Sequence, residues 1–153
     1  WGMTEAQVRA LYDNAITAEQ ARKLKPGAFD ARGEFLVAET TILKKKAWAT
    51  FTFGAHGLAD VLVRPDLEDA ASCPGLRDAL IEKYGEPKEK SEEDSPDLYL
   101  VSDAWVLKET RIEFDCSSIR TPAGRAKMKK SAPGAVIPDR LPADALRLHY
   151  FRN

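Results

Sequence analysis

Three segments with strand-like composition follow one another closely in the first half of the chain, and their spacing constrains the fold more than any other feature. They cover residues 34–43, 47–53 and 58–64. Only a run of three lysines (44–46) and a glycine-flanked turn (54–57) separate them. Parallel strands need a crossover of a dozen or more residues, so connections this short require antiparallel pairing. The sequence therefore predicts an antiparallel three-stranded meander.

The start of the chain carries a helix-initiation signal. Thr4 can accept a hydrogen bond from the backbone three residues later, and Gln7 can bond back to the backbone of Thr4, which is the pattern of a capping box. Val8 and Leu11 follow with helical spacing and give the segment one apolar stripe. These features predict a first helix over residues 5–13.

A second helix and further strands follow the meander. Pro74 is suited to the first turn of a helix, and Gly85 is suited to ending it. The apolar residues between them repeat with helical spacing and are Leu76, Leu80, Ile81 and Tyr84. Strand composition resumes over residues 98–107, 110–116 and 145–151, and the last two segments alternate apolar with polar side chains.

Three stretches lack a clear pattern, and we expect them to be mainly loop. Residues 14–33 are mostly loop, with one short helical turn open over residues 18–24. Residues 88–97 carry mixed charges and have nothing to bury, which predicts a solvated loop. Residues 117–143 contain four prolines and form a long excursion or flap. The basic residues of this flap are Arg120, Arg125, Lys127, Lys129 and Lys130.

The order of these elements is a helix and three strands, followed by a helix and three strands. This αβββ-αβββ order predicts an α+β fold with two layers, in which both helices cover one face of an antiparallel sheet of about six strands. We expect a single domain over residues 1–153, composed of two pseudo-repeats, 1–65 and 66–153. The other face of the sheet would then be left for water or a partner.

The charges of the chain nearly cancel. Lys and Arg total 23 against 24 Asp and Glu, which gives a formal net charge of -1. Such a balance gives no electrostatic reason to expect nucleic acid as a partner, and the basic flap lacks the interleaved aromatic residues that stack on bases. No run approaches the roughly 18 apolar residues of a membrane-spanning helix.

Cys73 and Cys116 are the only cysteines, and they have no histidine neighbours that could complete a structural zinc site. We therefore predict no metal and no cofactor. The two cysteines either form a disulfide or remain as two buried thiols, and the sequence leaves both readings open. A disulfide would close a loop of about 44 residues and stabilise the fold by about 4 kcal/mol in the chain-entropy model.

Two short motifs give the sequence a resemblance to known families. Gly2-Met3-Thr4 with Gln7, Val8 and Leu11 resembles the helix opening of outer-membrane assembly lipoproteins of the small protein A type. The second helix is followed by Tyr84-Gly85-Glu86-Pro87 and then by a strand with Trp105, which is similar to the tandem units of β-lactamase-inhibitor-like domains. The resemblance implies a bacterial envelope location and a protein-binding role, and it carries over no catalytic residue.

The first residue of the chain is Trp1 rather than Met. Removal of an export leader and a simple chain boundary both remain open as explanations. We expect a periplasmic or envelope-associated protein, with the cytoplasm as the alternative.

The sequence contains none of the common catalytic motifs, such as a nucleophile elbow, a phosphate-binding loop or a dinucleotide fingerprint. Only His56 and His149 could act as bases near neutral pH, and His56 lies in a predicted turn. We therefore expect a non-catalytic protein. The alternative is a small hydrolase or transferase that uses His149 and Glu113 as acid and base.

Strand alternation places several aromatic and charged residues on the face away from the helices. Trp48 should lie opposite Phe51 and Phe53, where it is either an anchor for a partner or covered by the basic flap. Aromatic and arginine side chains often dominate binding energy. The predicted function is a binding, inhibitory or accessory module whose partner is another protein. The candidate binding residues are Trp48, Trp105, Arg111, Glu113, Arg147, His149 and Phe151.

Overall fold

The computed structural model describes residues 1–24, 35–42, 44–65, 73–131 and 143–152. These residues form four helices and eight strands. The helices are α1 (Glu5–Leu11), α2 (Ala18–Leu24), α3 (Cys73–Tyr84) and α4 (Pro122–Ser131). The strands are β1 (Ile16–Thr17), β2 (Phe35–Ile42), β3 (Lys45–Gly54), β4 (Gly57–Pro65), β5 (Glu89–Asp94), β6 (Leu98–Val106), β7 (Thr110–Ile119) and β8 (Ala143–Arg152).

All eight strands belong to one antiparallel sheet in the order β1-β2-β3-β4-β8-β7-β6-β5. The first half of the chain contributes four strands in sequence order, and the second half contributes four in reverse order. The halves meet where β4 pairs with β8, from Asp60 opposite Phe151 to Val63 opposite Leu148. The α+β class and the antiparallel sheet are confirmed, and the division into two pseudo-repeats stays a prediction.

Helices α1 and α3 cover the same face of the sheet, which we call the first face. Val8 of α1 packs against Leu36 and Phe51, while α3 packs on Phe114 and Leu148. Val63 of β4 contacts both groups of core residues, so one continuous apolar layer runs under the two helices. The capping box at Thr4 and Gln7 is also confirmed.

A disulfide joins Cys73, the first residue of α3, to Cys116 of β7. The two Cα atoms are 5.7 Å apart, and both residues are buried. Of the two readings that the sequence left open, the bridged one is correct. The bridge fixes the start of α3 to the second half of the sheet.

The structure corrects the predicted number of elements, which was about six strands and two helices. Residues 88–97 are not a loop, because β5 runs through them and pairs with β6. Residues 14–24 hold β1 and α2, and the remainder of the predicted loop 14–33 lies outside the described residues. The flap prediction fails over residues 117–131, since β7 extends to Ile119 and α4 follows. Residues 132–142 lie outside the described part of the chain.

The N-terminal segment is fastened to the β3–β4 hairpin. The backbone N–H of Gly2 donates to Leu58, and the N–H of Leu58 donates to Met3 at 2.7 Å. Gly57 has φ +90°, and a Cβ at this position would lie 2.7 Å from the carbonyl oxygen of Met3 and closer still to that of Gly2. The hairpin therefore requires glycine at residue 57 for both its backbone conformation and its close contact.

We predict that Gly57→Ala lowers the free energy of unfolding by more than Gly85→Ala. Left-handed backbone costs an alanine roughly 1–2 kcal/mol, and both variants incur that cost. Gly85 has φ +79°, but no atom lies within 4 Å of the position that a Cβ would take there. Gly85→Ala therefore adds no steric clash, whereas Gly57→Ala does. Urea unfolding of both variants measures the difference. Equal losses would contradict the close packing of residues 2, 3 and 57.

We also predict that a Cys73→Ala/Cys116→Ala double variant loses about 4 kcal/mol of unfolding free energy, as expected for a loop of this length. The cysteines are separated by 43 positions. The measurement is urea unfolding of the double variant against the oxidised wild type, with the reduced wild type as a matched control. A double variant as stable as the oxidised protein would contradict a stabilising role for the bridge.

Candidate functional site

The second face of the sheet lies opposite α1 and α3, and short helices contact it near both ends. Ala18 and Ala21 of α2 pack against Phe35 and Val37, which alternate with the first-face residues of β2. At the other end, Lys127 of α4 forms an ion pair with Glu93. Glu93 points to the second face because its neighbour Glu92 meets α3 on the first. Strands β4, β8 and β7 lie between these two helices.

We call nine second-face side chains of these three strands, three from each strand, the open strip. They are Asp60, Leu62 and Arg64 of β4, Arg147, His149 and Phe151 of β8, and Arg111, Glu113 and Asp115 of β7. The sheet register arranges them in rows, with Leu62, His149 and Glu113 in one row. The neighbouring row contains Asp60, Phe151 and Arg111.

Two aromatic rings occupy the middle of the open strip. The ring centroids of His149 and Phe151 are 5.0 Å apart, with the planes tilted by 55°. Both residues are half-buried, as is Leu62 beside His149. Together these three side chains form an apolar and aromatic centre in an otherwise polar strip.

Hydrogen bonds and an ion pair join this centre to its surroundings. His149 Nε2 is hydrogen-bonded to an oxygen of Asp60, so the pair crosses the boundary between the two halves of the chain. Arg147 donates to Asp115, which also accepts a hydrogen bond of 2.7 Å from the hydroxyl of Ser102. These contacts fix the side chains of β4, β8 and β7 relative to one another.

Arg111 holds two carboxylates at once. Its guanidinium donates to both oxygens of Glu89 at 2.8 and 2.7 Å, and to Glu113 at 3.0 Å. The hydrogen bond from Arg111 lowers the pKa of Glu89 from its ordinary value. A carboxyl whose pKa is lower in the folded state stabilises the fold above its unfolded pKa, and this contribution is lost as the pH falls through the folded pKa. The Glu89–Arg111 pair is therefore intact at neutral pH.

The structure places five of the seven predicted binding residues in the open strip: Arg111, Glu113, Arg147, His149 and Phe151. Trp48 also points to the second face, as its parity predicted, but it is half-buried and packs in the α2 cluster. Helix α2 therefore covers it in part. This arrangement differs from both alternatives that the sequence left open, which were an exposed anchor and a residue covered by the flap.

Trp105 requires a correction. It is only 2% exposed and belongs to the core beneath α3, on the first face. Its indole N–H donates to the carbonyl oxygen of Gly85 at 2.7 Å and so ties β6 to the end of α3. Most of β6 is buried, so the strand offers no apolar-polar alternation from which its orientation could have been read.

Sequence reasoning missed the contribution of β4. Asp60 and Leu62 are separated by an odd number of positions from the core residues Val61 and Val63, so alternation would have placed both on the second face. Their position beside His149 depends on the β4–β8 pairing, which no local pattern encodes.

The geometry also concerns the alternative hypothesis, in which His149 and Glu113 act as acid and base. His149 and Glu113 are cross-strand neighbours. The carboxylate of Glu113 accepts from Arg111, while His149 is bonded to Asp60. A shallow depression of about 170 Å³ lies nearby, over Ala104, and Arg111 and Glu113 line it without His149. This volume is below the roughly 300–1,000 Å³ of small-molecule sites.

Within the described ranges, no group of three or more histidine, cysteine or acidic side chains is placed to hold a metal ion. None of the helices in these ranges is both long and apolar enough to cross a membrane.

The chain matches no protein-family model, no curated protein and no solved structure. The resemblance to outer-membrane assembly lipoproteins and β-lactamase-inhibitor-like domains therefore stays a prediction.

We predict that Arg111→Gln raises the pKa of Glu89 toward the ordinary value for glutamate, because the hydrogen bond from Arg111 is the largest cause of its lowering. A carboxyl-detected NMR titration measures this pKa. Arg147→Gln is the matched control, since Arg147 bonds Asp115 rather than Glu89. An unchanged Glu89 pKa in Arg111→Gln would contradict the bidentate contact.

Proposed function

We propose that the domain is a non-catalytic binding module that recognises another protein through the open strip. The supporting observation is the pair of partly exposed rings, His149 and Phe151, at the centre of a strip that lies between α2 and α4. Interfaces commonly have an apolar or aromatic centre within a polar rim, and the centre supplies most of the binding energy. The strip has this arrangement.

The charges of the strip support a protein partner of modest charge. Arg111 pairs with Glu89 and Glu113, Arg147 pairs with Asp115, and Asp60 is hydrogen-bonded to His149. A surface whose charges are already paired has little field left to attract a highly charged polymer such as nucleic acid. Its paired side chains are also held in place before binding, which reduces the entropy lost when a partner docks. The partner that best fits is a folded protein that presents an apolar side chain to Leu62, His149 and Phe151.

We further propose that the module acts outside the cytoplasm, in a periplasm or envelope. The Cys73–Cys116 disulfide supports this, because structural disulfides persist mainly in oxidising compartments. An inhibitory or accessory role agrees with the same surface, since each requires only that the strip bind a protein.

We predict that Phe151→Ala weakens binding of the partner by about 30-fold or more, the loss typical of a central anchor. The partner is first captured from an envelope extract on the immobilised wild-type domain, identified by mass spectrometry and purified. Calorimetry then gives its affinity for wild type and for each variant. Leu11→Ala is the matched control, because Leu11 is 68% exposed on α1 and lies away from the strip.

Capture alone does not support the proposal. Loss of affinity in Phe151→Ala with full affinity in Leu11→Ala would support recognition through the open strip. If both variants bind the partner with equal affinity, recognition through the open strip is wrong, provided that circular dichroism shows Phe151→Ala to be folded.

A further inference from the structure

Strand β5 forms one edge of the sheet, and no described strand pairs with its outer side. Ser95 and Leu98 exchange both backbone hydrogen bonds at the β5–β6 turn. Because bonded and non-bonded pairs alternate along an antiparallel ladder, Glu93 and Ser91 also bond to β6. The N–H and C=O groups of the alternate residues, Lys90, Glu92 and Asp94, therefore point away from the sheet.

This edge is held firmly at both ends. At its start, the N–H of Lys88 donates to Ala104 at 2.8 Å. At its end, Arg120 donates to the carbonyl oxygen of Ser95 at 2.6 Å, and Thr121 donates to the side chain of Asp97. A strand fixed in this way presents its outward groups without further ordering, which favours pairing with a second strand.

The side chains give the edge a negative rim. Every acid of β5 forms an ion pair with a cation outside the strand: Glu89 with Arg111, Glu92 with Arg77, Glu93 with Lys127 and Asp94 with Arg120. The two cations that approach from within the fold are the less exposed partners, with Arg77 at 17% and Arg111 at 25%, against 46% for Glu92 and 60% for Glu89. Each of these two arginines is also shared with a second carboxylate, Asp103 for Arg77 and Glu113 for Arg111, so carboxylates outnumber cations at these two positions.

We propose that β5 is a second docking edge, at which an extended segment of a partner protein adds as a further strand and presents lysine or arginine at alternate positions. Main-chain hydrogen bonds to Lys90, Glu92 and Asp94 would supply the affinity, and the carboxylate rim would select a basic segment. The edge meets the open strip only at the Glu89–Arg111 pair, and its outward backbone groups belong to β5 alone, so the two proposals can be tested independently.

The same charges disfavour pairing of two copies of this chain. β5 carries four acids and one lysine, and an antiparallel pair centred on Glu92 would place the Glu92 side chains of the two copies together. Charged edges of this kind are a known means of preventing self-association. The edge would therefore discriminate between another copy and a basic segment.

The test is a titration of the whole domain with a synthetic peptide that alternates lysine with valine, followed by amide NMR. We expect the amides of Lys90, Glu92 and Asp94 to become protected from hydrogen exchange. Those of Ser91 and Glu93 already bond to β6 and should change little. A control peptide with proline in place of valine keeps the charge but loses half of its backbone donors, and we expect it to bind about tenfold more weakly or worse.

Equal binding of the proline peptide, or no difference in protection between the two sets of amides, would overturn strand addition and leave only electrostatic adsorption. A second control peptide replaces lysine with glutamate. If it binds as well as the lysine peptide, the proposed preference for a basic segment is wrong. Glu92→Pro removes one outward donor from the domain together with the carboxylate, and its matched control Glu92→Gln removes only the carboxylate. Both variants should bind the lysine peptide more weakly, and the proline variant should lose more affinity than the glutamine variant.

Discussion

The pairing of β4 with β8 is the contact on which the remainder of the structure depends. It joins the last strand of each half, from Asp60 opposite Phe151 to Val63 opposite Leu148, and so converts two four-stranded units into one sheet. On the first face it brings Val63 into contact with the core under both α1 and α3. On the second face it sets Asp60 beside His149. The core and the candidate site are therefore two consequences of a single strand pairing.

Local patterns in the sequence were sufficient for much of the fold. Short turns required the antiparallel meander of β2, β3 and β4, and the apolar stripe of α3 ran to Gly85, where the helix ends. β5 was missed because it has no buried side chain, and ion pairs with distant residues hold its side chains instead. Hydrophobic periodicity cannot reveal such a strand, since the partners lie on α3, α4 and β7. The helix α4 was missed for a related reason, because its basic sequence shows no apolar stripe.

The candidate site could likewise be predicted from the sequence only in part. Alternation along a single strand fixes which face each residue takes. It was therefore enough to group Arg111 with Glu113 on β7, and Arg147 with His149 and Phe151 on β8. Asp60 and Leu62 joined the group only through a contact between residues about 90 positions apart, such as His149 with Asp60. Trp105 was misplaced because apolar side chains lie on both faces of β6, so the sequence of this strand does not indicate which face the helices cover.

The disulfide has a consequence for the integrity of the chain. The segment between Cys73 and Cys116 contains almost all of α3, the whole of β5 and β6, and most of β7. A protease that cut the β5–β6 turn would therefore leave both fragments covalently joined, with the hydrogen bonds between β6 and β7 still in place. A domain with this covalent ring can be nicked in its outermost hairpin and remain one molecule.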